Sequence, residues 1–261
     1  MKALVLSAGY GERLRPLTEK IPKPLLEAGG RPLIHYPLLM LRHAGIVDVA
    51  INVHHLASQI EHALGDGEAF GLRITYSPEP MLLGTGGPLL ALRDFFGADP
   101  FVMLNCDTIM GLDLPRMIAF HRERAPLATF ALRDGGDDPY AYSRIEIDPD
   151  ARIRRMRLLR SHVRDDFDDY PAEIAPALAA TLKPYMYCGA AVCDPAALQM
   201  LPKTPPFSLM GAVFAPMAAR GLPLLGYVDK SFFRTVDDLA SYESLRAELA
   251  AAPPRLKYLS S

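Results

Sequence analysis

Residues 7–23 read SAGYGERLRPLTEKIPK: two glycines one residue apart, Gly9 and Gly11, and after them Arg13, Arg15, Lys20 and Lys23. Backbone N–H groups of a glycine bend can converge into an anion nest, and glycine lets a backbone approach a phosphate closely. Arginine adds a planar fork for phosphate oxygens, lysine a mobile point charge. A nest with two cations, Arg13 and Lys23, suits a polyphosphate. Two common phosphate motifs do not fit. The G-x-x-x-x-G-K-[ST] loop is absent, and the three-glycine dinucleotide pattern fails at position 14, a leucine. A bare G-x-G is as compatible with a tight turn as with a ligand, so the weight rests on the whole run.

The elements around this run must hold it in place. KALVLSA reads as a strand leading into the glycine bend. LIHYPLLMLRHAG has apolar residues at helical spacing and a glycine stop, DVAINVH is a strand, LASQIEHALG a helix and LRITYSP a strand. GGPLLALRDFFG reads as a helix opening on glycines, PFVMLNCD as an apolar strand ending in Asp107, LPRMIAFHRER as a helix and LATFALR as a strand. Strand–helix alternation at this spacing means a parallel sheet covered on both faces. Ligands of such folds sit beyond the carboxyl ends of the strands, where residues 8–23 fall. Farther on, residues 137–159 read as a hairpin around a DPDA turn, RDDFDDYPAE (164–173) as a surface loop, and YMYCGAAVCD as a strand. FSLMGAVFAPMAARG is helical, LPLLGYV a strand, and DDLASYESLRAELAA a closing helix with aspartate at its start.

Composition sets the frame. The chain has 261 residues, 50% hydrophobic and 22% charged, with a formal net charge of −2. That suits a globular protein with a sizeable core and argues against a general nucleic-acid or membrane-surface binder. No apolar run approaches a membrane span, no signal-peptide pattern opens the chain, and a cytoplasmic location is expected. Three cysteines without a CxxC pair read as buried thiols. A His pair, His54 and His55, lacks the further ligands a zinc site needs, and Cys106 lacks a partner base.

The run SAGYGERLRPLT followed by PKPLL resembles the signature of the sugar-1-phosphate nucleotidyltransferases, L-A-A-G-x-G-x-R-L-x-P-L-T then P-K-P. Ser7 stands where alanine is usual. The likeness continues through residues 52–87, PFVMLNCDT, YMYCGAAV and the closing helix. Among subgroups the chain looks most like the short bacterial N-acetylmuramate-1-phosphate uridylyltransferase type. The resemblance implies a single α/β domain over residues 1–261, a Rossmann-like three-layer α/β/α sandwich with a mixed, mostly parallel sheet. A nucleotide-binding half (1–135) would be followed by a sugar-phosphate half (136–235) and a C-terminal helix and tail (236–261). It further implies that Ala8, Gly9 and Gly11 cradle the phosphates, that Arg13 holds the β- and γ-phosphates, and that Lys23 neutralises the α-phosphate. Glu79, Gly84 and Gly86 would read the base, Asn105 and Gly189 would meet the sugar, and Asp107 would bind Mg²⁺. The partners would be a nucleoside triphosphate, UTP before GTP, and a sugar-1-phosphate, with no nucleic acid or membrane. The protein would be a monomer or small homo-oligomer.

Read as packing alone, the LLGTGGPL glycines are a helix start, and Asp107 is a cap or turn former at a strand end. Three departures from the family pattern bear on catalysis. The second metal aspartate usually lies in W-x-D-[VI]-G-T-P-E-x-L, whereas this chain reads FFRTVDDLASY, with Thr235 at the aligned position. Asp237 is the expected substitute, ahead of Asp229 and Asp238; the plain alternative is that Asp237 and Asp238 cap the last helix. The sugar-phosphate E-K-P is replaced by Leu158 and Leu159, with Arg157 or Arg160 as possible sources of its positive charge, and Ser143 stands where a glycine is common. Arg154 or Arg157 could meet a phosphate, although a solvated face is the plain reading of that arginine run. Because the departures gather on the sugar side, a catalytically weak nucleotide or nucleotide-sugar binder of the same fold stands as the alternative function. A molybdopterin- or acyl-sugar cytidylyltransferase is disfavoured by the long RPLT…PKP match, and a glycosyltransferase would need a D-x-D that NCDTI does not supply.

Overall fold

The computed structural model describes residues 1–135, 143–159 and 167–259. The chain forms two compact units, each assembled from separate stretches of sequence. The first comprises 1–82, 94–115 and 231–261, the second 83–93 and 116–230. These boundaries interleave along the chain, whereas the halves expected from sequence were contiguous.

In the first unit, strand Ala3–Leu6 lies between Phe101–Asn105 on one side and Asp48–Val53 on the other, with Arg73–Pro78 beyond, and every pairing is parallel. Ala3, Leu4, Val5, Val49, Ala50, Ile51 and Val102 are wholly buried, as strands covered on both faces require. Helix His35–His43 buries Tyr36, Leu38 and Leu41, and helix Ala57–Leu64 buries Ile60 and Leu64. The register aligns Leu6 with Asn105 and with Asn52, and Asn52 with Ser77. The four strands therefore end in one row, and the loops leaving that row carry Ser7–Arg13, His54, Glu79 and Asp107. The order turns back on itself at Ala3–Leu6, whose neighbours are the strands before Asp107 and before His54; a switch of this kind is where open α/β sheets hold ligands. A short antiparallel pair, Thr108–Met110 with Phe233–Thr235, follows Asp107.

In the second unit, the order is Phe167–Tyr170, Ile153–Leu159, Arg144–Ile147, Lys183–Cys193, Ala128–Arg133, Leu224–Val228, with only the last pair parallel. The mixed sheet and Rossmann-like α/β class are as expected from sequence. The hairpin around residues 148–151 is present. The surface loop expected over 164–173 is corrected at Phe167–Tyr170, which forms an antiparallel edge strand. Its acidic residues are paired rather than solvated: Asp169 takes Arg157, and the Phe167 ring lies beneath the Arg144 and Arg157 guanidiniums. Residues 164–166 and Arg160 lie outside the described residues. The single helix read over GGPLLALRDFFG is two short turns, Pro88–Ala91 and Arg93–Phe96, interrupted at Leu92. Among the described residues no helix is long and apolar enough to cross a membrane.

Candidate active site

The loop after the first strand is shaped by Gly11, which has φ +63°. A Cβ there would stand 2.9 Å from Thr18 Cγ2 and 3.2 Å from Lys23 Cβ, so both its conformation and its packing demand glycine. Thr18, itself buried, donates its hydroxyl to the Gly11 carbonyl at 2.9 Å and accepts from His55 Nε2 at 2.6 Å through its own carbonyl. Gly9 is different: a Cβ built on it meets nothing within 4 Å. Packing gives no reason for glycine at that position.

Two cations of the opening run, Lys23 and Arg13, face carboxylates. Lys23 Nζ lies 2.5 Å from Asp107 Oδ2, with both side chains mostly covered. Arg13, which stays exposed, reaches Asp237 Oδ1 at 3.4 Å. The two carboxylates are brought together by backbone: Thr108 pairs with Thr235, and the Val236 N–H donates to the Asp107 carbonyl at 3.0 Å. Burial first, and the Asp107 charge second, push the Asp237 carboxyl above its usual range, while Lys23 and Arg13 pull against that shift. Asp238 behaves oppositely. Its carboxylate accepts from Ser241 N at 2.8 Å and Ser241 Oγ accepts from Asp238 N at 2.9 Å, a reciprocal cap on helix Leu239–Ala251 that pulls Asp238 below its usual range. Capping therefore accounts for the Asp238 carboxylate but not for that of Asp237.

The carboxylate pair suits a hard dication. Magnesium takes oxygen ligands and is usually bound through one or two carboxylates plus substrate phosphates. The crowding that raises Asp237 is relieved by added positive charge. Cys106, where the family pattern has glycine, is wholly shielded, and burial, with Asp107 next, pushes its thiol up to about 12; it is inert packing.

At the ends of the two strands next to Ala3–Leu6 on one side, Asn52 and Glu79 are buried and joined, Asn52 Nδ2 donating to Glu79 Oε1 at 2.8 Å. Sequence reasoning selected Glu79 and missed Asn52. The signal was present as a polar residue near the end of an otherwise apolar buried strand.

In the second unit, Gly84 and Gly86 press on Phe207. A Cβ on Gly84 would meet the Phe207 carbonyl at 2.4 Å, and one on Gly86 the Phe207 ring at 2.3 Å. The Gly86 N–H donates to Phe207 O at 3.1 Å. Packing thus accounts for glycine at both positions. Gly189, with φ +74°, sits where the Lys183–Cys193 strand shifts register against Ala128–Arg133, a bulge that glycine eases. Asn105 closes its strand opposite Leu6. The arginine run is paired: Arg154 with Asp148, Arg155 with Glu146 and Arg157 with Asp169. The Ser143 hydroxyl accepts from Leu159 N at 3.1 Å.

The sequence profile described as Nucleotidyl transferase matches residues 2–157, more than half of the chain. The chain belongs to the nucleotidyl transferase family. It is similar to the N-acetylmuramate alpha-1-phosphate uridylyltransferase of Neisseria meningitidis serogroup B, 47% identical over 114 residues that cover 43% of this chain and 49% of the relative. It is also similar to the UTP–glucose-1-phosphate uridylyltransferase of Synechocystis, 30% identical over 249 residues that cover 91% of this chain and 60% of the relative. The alignments thus span about half to three fifths of the length of these relatives. Among solved structures, a Bacillus anthracis protein provisionally assigned as a glucose-1-phosphate thymidylyltransferase, crystallised with sucrose, superposes with a TM-score of 0.76 at 20% identity, covering 95% of both chains. At that identity the likeness speaks to fold.

Proposed function

We propose that this nucleotidyl transferase moves a nucleoside monophosphate from a nucleoside triphosphate to a sugar-1-phosphate, releasing pyrophosphate and forming a nucleotide sugar. The observation that carries the reading is the pairing of two cations of the opening run with two neighbouring carboxylates, Lys23 with Asp107 and Arg13 with Asp237. A site holding two cations and two anions in balance is ready for a polyanion that arrives with its own counter-charge.

In this reading Ala8, Gly9 and Gly11 carry the triphosphate on their backbone, and Gly9 leaves room for it. Arg13 takes the β- and γ-phosphates and so steadies the leaving pyrophosphate. Lys23 neutralises the α-phosphate. The oxygen of the sugar-1-phosphate attacks the α-phosphorus, and the bond to the β-phosphate oxygen breaks as pyrophosphate departs. Asp107 and Asp237 are assigned to Mg²⁺, which when bound lowers the charge barrier between two anionic substrates. Positioning and charge are the main contributions a protein makes to such a transfer. Glu79, Gly84 and Gly86 are assigned to the nucleotide, and Asn105 and Gly189 to the sugar. UTP is favoured ahead of GTP on the likeness to the N-acetylmuramate-1-phosphate uridylyltransferase type, although curated relatives also include guanylyl- and thymidylyltransferases by name. Those names also give the inert-binder alternative no support.

The experiment is a comparison of the native chain with Asp107→Asn. Pyrophosphate release with magnesium falls by about a hundredfold or more, in line with loss of a charge-stabilising group, while calorimetry still detects nucleotide. Full turnover in the variant would remove Asp107 from the reaction.

A further inference from the structure

We propose that Asn52 is a positioning residue: it fixes the phosphate loop and Glu79 at one separation and thereby sets which base the site accepts. The inference rests on the reading of the site given above and adds a residue to which nothing so far assigns a role.

Asn52 is 3% exposed and lies near the carboxyl end of Asp48–Val53, paired in register with Leu6 on one side and Ser77 on the other. Its two polar atoms face those two neighbours. Oδ1 accepts the N–H of Ser7, the first residue of the phosphate loop, at 2.9 Å, and Nδ2 donates to Glu79 Oε1 at 2.8 Å. A side-chain amide does both because it carries an acceptor and a donor on one rigid plane. Aspartate would set a second carboxylate against Glu79. Leucine, of similar size, would leave the Ser7 N–H without this acceptor and Glu79 without this donor, in a setting where unpaired polar groups are costly.

A second link runs parallel to the first. His54 Nδ1 lies 2.7 Å from the Glu79 carbonyl oxygen, and His54 Nε2 lies 2.9 Å from the Tyr10 hydroxyl. A carbonyl only accepts, so Nδ1 carries the ring proton and a neutral His54 accepts from Tyr10 at Nε2. The Glu79 N–H donates in turn to the Val53 carbonyl at 2.8 Å. Residues 52–54 thus hold Glu79 by side chain and backbone on one flank, and Ser7 and Tyr10 on the other. Phosphates seated on residues 8–11 and a base edge at Glu79 are then a fixed distance apart. A base of another size or edge pattern meets Glu79 only if that distance changes.

The test measures kcat/KM for UTP, GTP, CTP and dTTP at saturating sugar-1-phosphate in the native chain, Asn52→Leu and Tyr10→Phe. The ratio between the best and next-best base is the decisive quantity, because it does not depend on how much of a variant is correctly folded. Asn52→Leu is expected to lower that ratio about tenfold, mainly through a higher KM for the preferred nucleotide with kcat little changed, as loss of buried hydrogen bonds to the loop and to Glu79 implies. Tyr10→Phe, an exposed change that removes only the lighter link, is expected to lower it less. An unchanged ratio in both variants would overturn the proposal. If Asn52→Leu does not fold, Asn52→Asp, which keeps the size and the Ser7 bond, is read in its place, with the same loss expected and an unchanged ratio again decisive against it. If the native chain turns over no nucleotide, the proposed function has failed instead. The role of Asn52 is then decided by the ratio of dissociation constants for the same four nucleotides.

Discussion

At Asp237, burial and the charge of Asp107 push the carboxyl up, while its neighbour Asp238 is pulled down by the amides it caps. The two adjacent aspartates therefore separate by experiment. Asp237→Asn should raise the magnesium concentration needed for half-maximal turnover by about tenfold, the lower end of what loss of a metal-supporting group costs. Asp238→Ala should leave that concentration unchanged and cost about 1 kcal/mol of stability through the lost cap, read by denaturant melts. The sequence named both residues, but it left open which was a cap and which faced the site. Ser241 decides that: its hydroxyl accepts from the backbone N–H of both, but its own N–H donates to the Asp238 carboxylate, an assignment made by helix geometry rather than by residue type. Cys106 was legible as packing, since no partner base lay near it in the chain.

The loop over residues 7–23 allows the same separation between fold and ligand. Gly11→Ala forces a side chain into a left-handed backbone against Thr18 and Lys23. It should lower stability by about 1–3 kcal/mol and weaken nucleotide binding with it. Gly9→Ala meets no steric neighbour and should stay within about 0.5 kcal/mol of the native stability while nucleotide affinity falls; thermal melts paired with calorimetry check both. Equal stability and equal affinity at Gly9 would move the phosphates off this loop. Most elements bearing the site could be read from local pattern, because an apolar strand and a capped helix each carry a periodic signal. Phe167–Tyr170 could not: the acidic run FDDY reads as solvated, and its pairing depends on Arg157, twelve residues upstream of Asp169, and on Arg144. The LLGTGGPL glycines could be read in two ways, and what packs on Gly84 and Gly86 is Phe207, more than a hundred residues away in sequence.

Each of the two units draws on distant parts of the chain, and that assembly is what local patterns do not encode. The last helix, Leu239–Ala251, belongs with the first strands, and the stretch 83–93 with residues after 116. Buried titratable groups tie the stability of such units to pH. His121 is 1% exposed, with Nδ1 3.0 Å from Thr129 Oγ1, and burial, opposed by the Asp194 charge and assisted by Arg122, holds its pKa below the ordinary 6.5. The unfolded chain then binds the proton more readily than the folded one. The contribution of neutral His121 is fully present above pH 6.5 and is lost as pH falls from there towards the lowered folded value. Melting temperatures between pH 7.5 and 5.5 should fall more steeply for the native chain than for His121→Gln. Parallel slopes would show that His121 does not carry this dependence.

The central claim is the transfer itself. The measurement that meets it most directly is magnesium-dependent pyrophosphate release over a grid of UTP, GTP, CTP, ATP and dTTP against glucose-, mannose-, N-acetylglucosamine-, N-acetylmuramate- and heptose-1-phosphates. Release is expected to require both substrates, to be greatest with UTP, and to disappear when magnesium is chelated. A grid without release from any pair, in a protein that still binds nucleotide, would contradict it.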